Sequence, residues 1–151
     1  VGWVVSVVVA VVLVGTYVTW LATRIDRLHQ RAHAARGALD AQLMRRAAAA
    51  AVLAEEREVG PLYPLARAAL DATEEREAAE NDLTHYLRKL DADPADGLVD
   101  AVVSAERRVR LARQVHTDSV RDALTLREHH LVRLLRLTRR HPRPVYFDID
   151  L

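Results

Sequence analysis

The stretch "LDAQLMRRAAAAAVLA", residues 39–54, decides the fold. No proline or glycine interrupts it, and alanine, leucine, methionine and arginine all favour helix. At 3.6 residues per turn, Leu39, Leu43, Ala50 and Leu53 form one apolar stripe, the mark of a helix packed on its neighbours. Arg46 falls in the middle of that stripe. Arg45 reaches water from the flank, whereas Arg46 would have to cross the stripe to do so. A permanent charge on a core-facing position calls for an acid beside it.

The surrounding composition agrees with an all-α chain. Of 151 residues, half are hydrophobic and only 5% aromatic, with five glycines, five prolines and no cysteine. That composition is poor in turns and excludes disulfide frameworks and cysteine-based zinc or redox sites. Basic residues are nearly all arginine, Lys89 being the single lysine. The net charge of +1 hides an acidic middle, −6 over residues 61–100, between basic flanks of +2 over 24–60 and +5 over 101–151. Such alternation favours helices that pair with one another before they pair with nucleic acid.

Upstream, residues 1–23, "VGWVVSVVVAVVLVGTYVTWLAT", carry no charge. About 20 apolar residues cross a bilayer as a helix. Trp3 and Trp20 lie roughly 25 Å apart at the helical rise and resemble two interfacial aromatic belts. The apolar run exceeds that of a cleavable signal and lacks a small-x-small cleavage site. Arg24, Arg27, Arg31 and Arg36 follow directly, opposed by Asp26, so the positive-inside rule places the remainder in the cytoplasm. The expectation is a single-pass plasma-membrane protein whose bundle is cytoplasmic. Gly2, Ser6 and Ala10 form a small-xxx-small row able to pack against another membrane protein's helix.

Downstream, nothing stops a helix before Gly60-Pro61, so residues 24–58 should continue the membrane helix. A second helix is expected over about 62–90, with Leu65, Ala69, Ala72, Arg76, Ala79, Leu83 and Leu87 on its stripe. The turn "DADPADG" (91–97) follows, and a third helix starts near Gly97 with Val102, Val109, Val120 and Leu124 on one face. Short connections imply an elongated antiparallel bundle of three long helices, with room for a short fourth. Its first helix descends from the membrane, its second climbs back and its third descends again. The division is an anchor over 1–23, a bundle over 24–138 and an extended tail over 139–151.

Polar residues turn inward on each helix. Glu106, Arg113 and His116 sit within about 40° of Val120 on the wheel, Arg76 lies on the second stripe and Glu80 on its shoulder. With Gln42, Arg46 and Glu77 these form a candidate interhelical polar layer. Arg46 should meet Glu77 or Glu80, and Glu106 should face Gln42 or Asn81 or pair with Arg110. The role of such a layer is to specify register, because buried ion pairs add little net stability.

Catalytic and metal chemistry finds little support. His29 and His33 share a helix face but lack a third ligand. The 91–97 turn departs from the calcium-loop spacing, with Val102 where the closing glutamate belongs. No serine sits in a nucleophile context, and no cofactor or metal is expected. The segment 127–143 carries six arginines among leucines. Arg127, Arg133, Arg136, Arg139 and Arg140 are candidates for an acidic protein partner. Nucleic acid is disfavoured because no aromatic platform accompanies them.

Four passages resemble the LemA family of membrane-anchored helical proteins. "LDAQLMRRA" (39–47) is similar to its first-helix segment and "AENDLTHYLRKL" (79–90) to its Ala-Glu-Asn-x-Leu segment. "ERRVRLARQVHTDSV" (106–120) keeps Glu106, Val109, Ala112, Arg113, Asp118 and Val120 in the family's spacing. "PRPVYFD" (142–148) resembles its ending. Ala48–Val52 replaces a Leu-Ile-Pro-Asn stretch, His116-Thr117 stands where Tyr-Asn is usual, and an Asn-bearing Phe-Pro segment before the tail is missing. The resemblance implies a membrane anchor and a helical bundle, and no reaction. The function expected is that of a non-enzymatic accessory or scaffold subunit. The alternatives are a metal- or ligand-binding sensor or enzyme using the polar layer, and a nucleic-acid tether through 127–143.

Overall fold

A computed structural model describes residues 2–73, 75–128 (side chains to 126) and 143–149. These residues are all-α, with helices α1 (Gly2–Glu56), α2 (Leu62–Asp71), α3 (Arg76–Lys89) and α4 (Gly97–Glu128). Residues 143–149 lie outside any helix or strand. The chain divides into two compact units, residues 1–34 with 118–145 and residues 35–117 with 146–151.

α1 runs unbroken for 55 residues. It is long and apolar enough to cross a membrane. Its end comes before Gly60. Glu58 adopts a left-handed conformation (φ 53°). Val59 N–H then reaches back to Ala54 O at 2.9 Å and Glu58 N–H to Glu55 O at 3.4 Å. This is the Schellman arrangement, which satisfies the last carbonyls of the helix, here with glutamate where glycine is usual.

The expected helix over 62–90 is two helices. Ala72 turns extended and Glu75 takes φ 53°. Arg76 donates from Nε and Nη2 to Ala72 O, at 3.1 and 2.7 Å, so its guanidinium supplies a carbonyl at the end of α2. The break adds a chain reversal, and α2 and α3 pack on each other.

That reversal changes the direction of the last helix. In the second unit, Val102 joins Ala50 and Leu53 in one cluster with Leu62, Ala66, Ala69 and Leu83. Val109 packs with Leu39 and Leu43. As α4 numbering rises α1 numbering falls, so the two are antiparallel and α4 does not descend alongside α1. In the first unit, Leu126 accordingly packs on Leu21 and Ile25, at the end of the uncharged run.

Two aspartates set the 91–96 turn. Asp93 Oδ1 accepts Ala95 N–H, and Asp96 Oδ1 accepts Leu98 N–H, both at 2.9 Å. Asp96 is thus the N-cap of α4, satisfying a first-turn donor. Arg57 grips the same carboxylate twice, Nε to Oδ2 at 2.6 Å and Nη2 to Oδ1 at 3.0 Å.

Candidate functional site

The second unit's polar centre is built on the stripe that opened the sequence. Leu39, Leu43, Ala47 and Ala50 are fully buried on α1, and so is Arg46. Its Nη2 donates to Glu80 Oε2 at 2.6 Å and to Glu80 O at 3.2 Å. Neither side chain has any exposure. Thr84 Oγ1, one turn along α3, also donates to Glu80 O at 2.8 Å. Arg46 and Glu80 therefore lock α1 to α3 at one register.

Pairing does not cancel the cost of removing two charges from water. Glu80 shows the balance: burial pushes its carboxyl above the usual glutamate range. Arg46 opposes that shift through its charge and hydrogen bond, Arg76 opposes it through charge, and Asp40 reinforces it. Several atoms stay without a hydrogen-bond partner: Arg46 Nε and Nη1, Glu80 Oε1, Asp40 Oδ1, Gln42 Oε1 and His116 Nδ1. Both donors and acceptors remain, a set that water, able to give and take hydrogen bonds, can complete.

His116 is buried on α4. Burial lowers its pKa, Arg36 lowers it further and Asp40 opposes them. Arg36 lies 3.7 Å from Asp40 Oδ1 through Nε, and its guanidinium sits 4.5 Å from the Phe147 ring centre. The tail is seated here: Phe147 and Ile149 are buried with Leu39, Leu43 and Val109, and Tyr146 and Asp148 face outward. Asp148 N–H donates to Glu77 Oε1 at 3.2 Å, and Asp148 Oδ1 lies 3.6 Å from Arg113 Nη2.

The eight residues read as one layer therefore serve different partners. Arg46 and Glu80 meet, with Arg76 acting on Glu80 by charge while its hydrogen bonds go to Ala72 O. Gln42 is half-buried and its Oε1 lacks a partner. Glu77 and Arg113 hold the tail. Glu106 accepts from Arg110 on its own helix. His116 faces Arg36 and Asp40. Arg113 and Arg46 do not share a level, because α4 is antiparallel to α1. The Arg57–Asp96 clamp and the Arg36–Phe147 contact join residues far apart in sequence, and no local pattern announces either.

In the first unit, Gly2, Ser6 and Ala10 are exposed on α1, with Ser6 Oγ donating to Gly2 O at 3.2 Å. His29 is buried and its Nδ1 lies 3.2 Å from Ile25 O. Among the described residues no three His, Asp or Glu side chains converge as metal ligands would. Arg127 lies in the last turn of α4, its side chain outside the described residues, as are Arg133, Arg136, Arg139 and Arg140. Compared with known proteins, the chain matches no family model, no curated protein and no solved structure.

Proposed function

We propose that this chain is a LemA-like, single-pass accessory or scaffold protein of the plasma membrane, with its helical bundle in the cytoplasm and no catalytic role of its own. The observation that carries the reading is the exposed apolar start of α1. Trp3 is 73% exposed, Val11 66% and Leu13 65%, on a helix that continues into a packed bundle. An uncharged helix apolar on every face finds its complement in hydrocarbon. The buried Arg46–Glu80 pair supports a scaffold: it fixes the register of a thin, alanine-rich core. The four LemA-like passages support the same assignment.

A reporter fused after Leu151 tests the topology. Activity in the cytoplasm is the expected result, and activity confined to the outside overturns the orientation. Isolation from native membranes in mild detergent tests the scaffold role, with the expected result a membrane protein that co-purifies in fixed proportion. Replacing Gly2, Ser6 and Ala10 with leucine should weaken that association and leave insertion intact. Association unchanged by the triple replacement removes those residues from the interface.

A further inference from the structure

α1 has a second feature in the first unit, away from the face that packs on α4. Leu21 and Ile25 bury against Leu126. Around the helix from them an open groove of ≈ 840 Å³ runs from Val12 to Arg31. That is within the size of pockets that hold small ligands.

The groove changes character along its length. At its upper end it is walled by Val12 and Gly15, and a Cβ at Gly15 would meet nothing within 4 Å. The hydroxyls next to them are already used. Thr16, Thr19 and Thr23 each donate at 2.9 Å to the carbonyl four residues before. With their donors spent on their own helix, these threonines present mainly methyl groups. Below them the lining turns cationic, with Arg24, Arg27 and Arg31. Their spacing places the three within about 60° of one another on the helix, while Asp26 lies well round from them. All three are exposed, and none takes part in an ion pair among the described residues. Trp20 stands at the transition, with the Arg24 guanidinium 5.4 Å from its ring centre.

We infer that this groove is a binding site for one anionic phospholipid. The acyl chain lies along Val12, Gly15 and Thr19, and the phosphate sits among the three guanidiniums. Trp20 occupies the level of the glycerol, where amphipathic rings collect. The dimensions agree: from Gly15 to Arg24 the helix rises about 14 Å, close to the roughly 15 Å half-thickness of a bilayer's hydrocarbon. Charge selects the headgroup. Three arginines, none of them in an ion pair among the described residues, exceed what one phosphate neutralises, so a zwitterionic lipid, whose own ammonium competes for the phosphate, fits less well than an anionic one. This inference rests on the membrane-anchor reading given above.

The test uses the full chain purified in a neutral detergent, with bound lipid counted by native mass spectrometry. Phosphatidylglycerol should be retained at least 10-fold better than phosphatidylcholine of the same acyl length. The Arg24→Gln, Arg27→Gln, Arg31→Gln triple variant should erase that preference. A control with the same change in charge, Arg45→Gln, Arg107→Gln, Arg108→Gln, should keep it. Gly15→Leu with Thr19→Leu should lower retention of long-chain phosphatidylglycerol by filling the groove. Equal retention of the two lipids, or an equal loss in the control, overturns the site. Displacement of the lipid by millimolar inorganic phosphate also overturns it, because the arginines would then read phosphate without the groove. Failure of the underlying anchor reading has its own signature, release of the chain from membranes by alkaline carbonate.

Discussion

Two lengths of the same helix teach opposite lessons about hydrophobic sequence. Residues 2–20 of α1 are nearly all apolar and almost all exposed, whereas residues 39–54 carry three charged residues and bury a continuous stripe. The first length has no polar phase, so alternation of polar and apolar positions marks no face of it for burial in the bundle. In the second, the alternation of apolar and polar positions selects a face, and α2, α3, α4 and the tail cover it. Periodicity, more than apolar content, decides which residues a bundle buries. The exception sharpens the rule: Arg46 lies on the buried face and is retained there by an internal acid.

The largest test of that contrast is Arg46→Ala, which leaves Glu80 buried with its main partner gone. It should destabilise the bundle by about 3–5 kcal/mol, and combining it with Glu80→Leu should recover most of the loss. Denaturant unfolding in mild detergent reads both, and a solvent-facing control, Arg45→Ala, should cost under about 1 kcal/mol. Equal midpoints for the Arg46 and Arg45 variants would sink the internal-pair account.

Val8→Arg probes the other length. It should disfavour membrane insertion by about 2.5–3.5 kcal/mol and leave the bundle's unfolding midpoint in place. A shifted midpoint would mean that residues 2–20 pack against protein after all.

A smaller effect is expected where α1 stops. Glu58 holds a left-handed conformation that costs a non-glycine residue roughly 1–2 kcal/mol. Glu58→Gly should therefore raise stability by up to about 1 kcal/mol, offset in part by greater freedom of the unfolded chain. A loss of stability would place the helix end elsewhere.

The smallest effect is a pH slope. The pKa of His116 is lowered in the folded chain, so the unfolded chain binds the proton more readily. Its contribution to stability is complete above the ordinary histidine value of about 6.5 and is lost as pH falls through that value toward the folded one. His116→Gln should flatten this part of the stability profile between pH 7 and pH 5. An unchanged slope would assign it to other groups.

Much of the second unit is legible in the sequence. The 39–54 stripe, the Asp96 start of α4 and the inward turn of Arg46 all follow from local spacing. The break at residues 72–75 does not. Ala69, Ala72, Arg76 and Ala79 keep helical spacing straight through it, with no glycine or proline, and the left-handed residue is a glutamate. Missing that reversal inverts α4, which makes a third helix that descends alongside the first look natural and puts Arg113 in one layer with Arg46. The choice between Glu77 and Glu80 was equally hidden. Both lie near the stripe, and Glu77 goes instead to a backbone N–H that arrives from Asp148.

The seated tail has a consequence for how the chain comes into being. Leu39 and Leu43 are made early, yet the residues that finally cover them, Phe147 and Ile149, are translated after every helix. Contacts so distant in sequence form slowly, because a long loop must close before they reward the chain. During synthesis the α1 strip that will hold the tail stays open to solvent, and an open apolar strip is what a holding chaperone grips. The last step of folding is thus a docking event.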